Sequence, residues 1–114
     1  EQIKELYKSG LVEIGSHTIY HPKLTKISRP ERLKELEISK DELEQLLNTD
    51  ITILSYPFGL YNHEIKALTK AVGYKAGLTF DQDAWQDPQD LFELKRISVW
   101  PQMNVVKFLE KLKK

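Results

Sequence analysis

Short apolar segments alternate along the chain with longer segments of helical periodicity, and this alternation limits the fold more than any other feature. The apolar segments cover residues 11–14, 51–56, 74–80 and 97–99. They are mostly apolar rather than alternating in polarity, which is typical of strands covered on both faces. We therefore expect an α/β fold in which parallel strands alternate with helices that pack outside the sheet.

Residues that favour helix ends bound the intervening segments. Ser28 and Glu31 match a capping box and start a helix that runs to about residue 47, with its leucines facing the core. Asn62 and Asn104 are placed to start two later helices. The four predicted helices cover residues 2–9, 28–47, 62–73 and 104–112. The last helix is expected to turn its apolar side chains inward: Val105, Phe108, Leu109 and Leu112.

The charge balance and the absence of cysteine exclude several classes of function. Lys plus Arg and Asp plus Glu each number 17, so the net charge is zero, and this argues against a nucleic-acid partner. No apolar run is long enough to span a bilayer. Because cysteine is absent, disulfides, thiolate metal sites and cysteine nucleophiles are excluded.

Two histidines follow the first predicted strand, in a loop over residues 15–22. His17 and His21 are four residues apart, so they can face one cation if the backbone makes a helical turn. Neutral imidazole is a common ligand of Zn²⁺ and related ions. The spacing alone leaves a second interpretation open, in which one histidine is a surface residue and the other bonds to a loop carbonyl.

Two further segments follow strands. Pro57 and Gly59 form a tight turn whose backbone N–H groups can stabilise an oxyanion, although a plain strand-to-helix connection fits the same residues. Asp81, Asp83 and Trp85 can bind a metal ion or a sugar. A solvated acidic loop with Trp85 as a lid fits that segment better.

Taken together, the order and spacing of these segments resemble the polysaccharide deacetylase family, the NodB-like enzymes of carbohydrate esterase family 4. Residues 12–25 are similar to its His-Ser/Thr-x-x-His motif followed by Pro and Leu, and residues 55–59 to its Tyr-Pro-Phe/Tyr-Gly motif. Residues 73–79 match what usually follows. Residues 94–99 are similar to the closing strand of the branch that acts on poly-N-acetylglucosamine.

The resemblance implies a fold and a reaction. The expected fold is about half of the deformed (β/α) barrel of the NodB type. The expected reaction is metal-dependent removal of acetyl groups from N-acetylglucosamine units of a cell-surface or exopolysaccharide, outside the cell or in the periplasm. The implied metal ligands are His17 and His21, with Zn²⁺ expected and Co²⁺, Ni²⁺ or Fe²⁺ as alternatives. The implied oxyanion donor is the backbone N–H of Phe58. The implied substrate-binding residues are Tyr56, Pro57, Tyr61 and Trp85.

The sequence departs from the family pattern in ways that matter for catalysis. The family's Thr-Phe-Asp-Asp motif, which supplies an Asp ligand and the general base, would precede residue 1. Thr79, Phe80 and Asp81 look like this motif but lie too late in the chain. No histidine follows His63, so the general acid is not in the family's usual late position. We therefore expect residues 1–114 to be a partial deacetylase domain, inactive alone, whose open sheet edge is covered by a homodimer partner or by the missing N-terminal half.

Two other functions fit the same residues. In the first, the chain is a non-catalytic module that binds a glycan or an enzyme partner through the retained groove. In the second, it is a structural metal-binding domain. In the structural domain, Asp81 or Asp83 would complete the site of His17 and His21 within coordination distance, about 2.0–2.2 Å for a Zn–O bond.

Overall fold

The fold is a short parallel sheet with helices around it, in a computed structural model that describes residues 1–113. The helices and strands are, in chain order, α1 (Gln2–Lys8), α2 (Arg29–Leu47), β1 (Ile53–Ser55), α3 (His63–Val72), β2 (Ala76–Leu78) and α4 (Val105–Leu112). Single 3₁₀ turns cover Leu24–Lys26, Pro57–Gly59 and Leu91–Glu93. The four predicted helices and the two central strands are therefore confirmed.

Side-chain caps start the helices where the sequence predicts them. The Ser28 and Glu31 side chains form both bonds of a capping box at the start of α2. The Asn62 side chain accepts a hydrogen bond from the N–H of Ile65, and the Asn104 side chain caps α4 in the same way. These bonds satisfy backbone donors that have no partner inside the helix.

The sheet is parallel and its segments lie side by side in chain order. β1 pairs with β2, with Leu54 opposite Gly77. Ser16 forms a single parallel bridge to the free side of β1, and Leu94 forms one to the free side of β2. Residues 1–113 therefore contribute four parallel segments, of which the central two are full strands.

The two outer strands predicted at residues 11–14 and 97–99 are wrong. Neither range contains a strand, and the pairing lies at Ser16 and Leu94 instead. Leu11 is 90% exposed, so its apolar side chain does not mark a covered strand. The N–H groups of Arg96 and Ser98 donate to the Asp81 carbonyl and to the Gln82 side chain, which holds that segment against a loop.

The hydrophobic core joins β1 to α2 and α3. Leu36 of α2, Leu54 of β1 and Ile65 of α3 are fully buried and pack in one cluster. Partly buried residues extend this cluster, among them Ile14, just before the Ser16 bridge. The core therefore fixes β1 against two helices. The Pro57–Gly59 turn follows β1 directly, and the histidine loop begins beside β1 at Ser16.

α4 does not pack as predicted. Its apolar residues are all exposed among the described residues, from 38% for Phe108 to 72% for Val105. Leu109 and Leu112 lie between these values. The expectation that this face turns inward is therefore wrong: the pattern predicts an apolar helix face correctly but says nothing about what covers it.

Within the described part of the chain, no helix has both the length and the apolarity needed to cross a membrane.

We predict that Gly77→Ala destabilises the chain through Tyr56. A Cβ atom on Gly77 would overlap the Tyr56 hydroxyl and ring, and that ring is fully buried with its hydroxyl bonded to the Phe92 carbonyl. We expect urea unfolding to show a loss of about 1–3 kcal/mol, as for other overpacked sites. In a Tyr56→Phe background, which removes the nearest atom, the same change should cost less; strictly additive losses would contradict the overlap.

We also predict that the ion pair between α3 and the 3₁₀ turn at Leu91–Glu93 gives pH-dependent stability. Lys66 Nζ lies 2.5 Å from Asp90 Oδ2, and this bond lowers the pKa of Asp90 and raises the pKa of Lys66. The Asp90 contribution is present above the unfolded carboxyl pKa of about 3.9 and is lost as pH falls through its folded pKa. The Lys66 contribution is present below the unfolded value of about 10.4 and is lost as pH rises through its folded pKa.

The stability difference between the parent chain and Asp90→Asn should therefore be largest between about pH 5 and pH 10 and shrink on both sides. Urea unfolding across this range measures it. A difference that does not change with pH would show that the pair contributes nothing through its charges.

Candidate functional site

The structure brings His17 and His21 together at the carboxyl end of the sheet. Their ring centroids are 4.6 Å apart with an interplanar angle of 67°, and both residues are exposed. Ser16 immediately precedes His17 and bonds to β1 through both its N–H and its carbonyl. The loop that carries the histidines therefore starts from the sheet edge, where α/β folds place their sites.

The approach of the two imidazoles does not use a helical turn. Thr18 and His21 have φ values of +67° and +55°, in the left-handed region. Phe58, in the neighbouring turn, has a φ of +59°. Such conformations cost of order 1–3 kcal/mol each for residues other than glycine, and they cluster at functional sites.

A hydrogen bond sets the orientation and the tautomer of His17. Its Nδ1 lies 2.7 Å from the carbonyl oxygen of Ser55, at the end of β1. Because a carbonyl oxygen can only accept, neutral His17 carries its proton on Nδ1. The lone pair on Nε2 is then left for a ligand, which is the arrangement that metal-binding histidines use.

The turn after β1 lies against the second histidine. The Phe58 ring packs on the His21 ring with centroids 4.6 Å apart and an interplanar angle of 62°. The N–H groups of Gly59 and Leu60 donate to the carbonyls of Tyr56 and Pro57, and the Phe58 N–H takes no part in these bonds. The structure therefore places the Phe58 ring against His21, and the role of the Phe58 N–H as oxyanion donor remains a prediction.

Two of the predicted substrate-binding residues lie in the core. Tyr56 is fully buried and donates its hydroxyl to the Phe92 carbonyl, and Pro57 is also buried. In the described residues these two side chains pack the turn onto the core, and their part in substrate binding remains a prediction. Tyr61 is only half-buried and stacks on Tyr56 with centroids 5.3 Å apart.

Tyr61 stays a neutral donor over the whole physiological range. Burial first, and then the nearby carboxylates of Glu93 and Asp81, raise the pKa of Tyr61 to about 12. Its hydroxyl donates to Asp81 Oδ2 over 3.4 Å. The partly exposed ring is therefore available to a ligand while the hydroxyl remains protonated.

The acidic loop does not complete the histidine site. Asp83 lies 3.5 Å from Lys95 Nζ, and Lys95 also lies over the Trp85 ring at 5.2 Å from its centroid. Within residues 1–113, no group of three or more His, Cys, Asp or Glu side chains is arranged to hold a metal ion. The alternative in which Asp81 or Asp83 is the third ligand is therefore wrong. Trp85 is 47% exposed, and its role in substrate binding remains a prediction.

Two residues of α2 that were not predicted from the sequence contact the histidine loop. Glu35 accepts hydrogen bonds from the N–H groups of Ile19 and Tyr20, and Ser39 bonds to Ser16. Both flank the buried Leu36 on the inward side of the helix. Glu37 also adjoins Leu36 and is exposed, so the sequence pattern alone does not single out Glu35.

Comparisons with known proteins agree on one family. A statistical model of the family described as polysaccharide deacetylase matches residues 1–77. YxkH of Bacillus subtilis, which is named for this family, is 34% identical over 104 residues, which are 91% of this chain and 37% of that protein. The poly-β-1,6-N-acetyl-D-glucosamine N-deacetylase of Staphylococcus aureus is 27% identical over 107 residues, 87% of this chain and 37% of that protein.

A solved structure shows the same fold. The Streptococcus pyogenes deacetylase PplD, in complex with acetate, superposes with a TM-score of 0.87 at 29% identity, over 99% of this chain and 50% of that one. The predicted α/β fold with parallel strands of the NodB type is therefore confirmed. The chain spans little more than a third of the length of the curated relatives it matches.

The hydrogen bond from His17 predicts one tautomer. In the metal-free chain, ¹⁵N NMR at a pH where His17 is neutral should show the proton on Nδ1, since the Ser55 carbonyl fixes it there. His63, which lies outside the pair in the first turn of α3, is the internal reference. A proton on Nε2 of His17 would contradict the orientation described above.

Proposed function

Because this chain belongs to the polysaccharide deacetylase family, we propose that it carries the metal-binding histidine loop of a carbohydrate N-deacetylase. The reaction is hydrolysis of the N-acetyl group of N-acetylglucosamine units in a polysaccharide of the cell surface, the cell wall or a biofilm. The observation that carries the proposal is the pair of adjacent imidazoles, His17 and His21, with His17 oriented by Ser55. The name of the Staphylococcus aureus relative supports the choice of substrate.

The residues present fit a divalent metal ion in part. His17 and His21 would supply two neutral nitrogen ligands, which suit Zn²⁺ and, as alternatives, Co²⁺, Ni²⁺ or Fe²⁺. Both imidazoles are exposed, so water and substrate have access. A catalytic site of this kind uses three protein ligands, often including a carboxylate. We propose that the third ligand and the general base come from a segment or chain other than residues 1–113.

Chemistry divides between the metal and the protein. When bound, a divalent ion polarises the acetyl carbonyl and lowers the pKa of water at the site. Water adds to the acetyl carbon, the C–N bond breaks, and the products are acetate and a protonated amine. The Phe58 N–H would donate to the oxyanion as it develops, and the contact of the Phe58 ring with the His21 ring supports this role.

The first test is metal binding by the chain itself. We expect weak one-to-one binding of Zn²⁺ in calorimetry, because two imidazoles lack the anionic third ligand. Binding should disappear in His17→Ala/His21→Ala and persist in the matched control His63→Ala. Equal binding in all three proteins would show that the pair is not a metal site.

The second test is hydrolysis by the complete protein that contains this chain. His17→Ala should reduce acetate release from poly-N-acetylglucosamine by at least about 100-fold. Residues 1–114 alone should release none. If the complete protein binds the polysaccharide but releases no acetate with any of the four metal ions, a glycan-binding module replaces the enzyme proposed here.

A further inference from the structure

Helix α2 presents two buried polar side chains to the loop that joins the two histidines. Glu35 is 8% exposed and Ser39 is 5% exposed, and they lie one helical turn apart on the same face. Burying a carboxylate is costly unless hydrogen bonds compensate for the lost water. The hydrogen bonds of these two side chains therefore show which part of the loop this face of α2 holds in place.

Glu35 holds the middle of the loop. Its Oε2 accepts hydrogen bonds from the N–H of Ile19, at 2.7 Å, and from the N–H of Tyr20, at 3.1 Å. These residues lie midway between His17 and His21. A carboxylate that accepts two backbone N–H groups forms charge-assisted bonds, which are stronger than bonds between neutral groups.

Ser39 holds the beginning of the same loop. Its hydroxyl bonds to the hydroxyl of Ser16 over 2.9 Å, and the Ser16 hydroxyl accepts from the N–H of Thr18 at 3.3 Å. Ser39 also contacts the Tyr74 hydroxyl at 3.3 Å, which ties this network to the core. The residue before His17 is thus bonded to both α2 and β1.

The loop needs this support because its backbone is strained. Thr18 and His21 adopt the left-handed conformation, which a free loop would leave. A change of backbone angles at either residue would move the two imidazoles apart. Since the Glu35 carboxylate bonds to the two amides between them, it opposes that relaxation without contacting either ring in this structure.

We propose that Glu35 is a positioning residue that keeps His17 and His21 at the separation a metal ion requires, acting through the backbone of Ile19 and Tyr20. This inference rests on the proposed metal site. Helix α2, which lies outside the histidine motif, thereby contributes to metal affinity.

The test compares the Zn²⁺ affinity of Glu35 variants of this chain. Binding is monitored through the NMR signals of the histidine rings, a method that suits weak affinities. Glu35→Leu removes the acceptor and should weaken binding about 10- to 100-fold, as loss of an outer-shell partner does. Glu35→Gln keeps an acceptor oxygen of the same reach and should recover most of the affinity. Glu37→Leu, an exposed position on the same helix, is the matched control and should bind like the parent chain.

A second measurement separates positioning from folding. Amide hydrogen exchange without metal should speed up at Ile19 and Tyr20 in Glu35→Leu, and stay unchanged at Leu54 in β1. If Glu35→Leu does not fold, Glu35→Asp, with a shorter reach and the same charge, takes its place and should show the same local change.

The outcomes distinguish this inference from the proposed function. Weaker Zn²⁺ binding in Glu35→Leu, or in Glu35→Asp where it takes that place, with binding kept in Glu35→Gln and Glu37→Leu, supports it. Unchanged affinity in a folded Glu35→Leu chain would overturn it and leave the metal site standing. Absence of histidine-dependent binding in the parent chain would overturn both.

Discussion

The bonding of Ser16 to β1 is the interaction on which the site depends. Its N–H donates to the Ile53 carbonyl and its own carbonyl accepts from the Ser55 N–H. This single residue therefore pairs with β1 as an edge strand would. Its side chain bonds to Ser39 of α2 at the same time. His17 follows directly and its Nδ1 bonds to the Ser55 carbonyl, so the sheet fixes the position of the first imidazole. A displacement of Ser16 would therefore move the histidine loop, the sheet edge and the helix contact together.

The strained residues lie where this support is densest. Thr18 and His21 are left-handed in a loop held by Glu35 and Ser16, and Phe58 is left-handed in a turn closed by its own backbone bonds. Elsewhere in the described chain the local rules hold: the helix caps and the αL stop at Gly73 follow residue preference. Local preference is broken mainly where two ring systems must meet, which is typical of functional sites.

The helix ends could be predicted from the sequence because a cap involves residues three positions apart, as at Asn62 and Ile65. The outer strands could not, because an apolar run such as that at Leu11 does not show whether a neighbouring strand exists. The histidine pair was found by its spacing, whereas Glu35 was missed because its bond to Ile19 spans sixteen residues of chain and requires the left-handed loop. The burial of Tyr56 could not be predicted for the same reason, since its hydroxyl bonds to the Phe92 carbonyl, which is distant in the sequence.

The same contacts agree with the proposed function, in which this chain supplies two metal ligands and another part of the protein completes the site. Neutral imidazoles bind a divalent ion but leave its charge intact, and proton transfer needs a carboxylate or another base. The described residues hold and orient two imidazoles, while the Glu35 carboxylate bonds to the loop backbone and the Asp83 carboxylate pairs with Lys95. If the proposed function holds, substitutions within this chain act first on metal affinity and geometry, and those that change the proton-transfer step itself lie in the part that supplies the base.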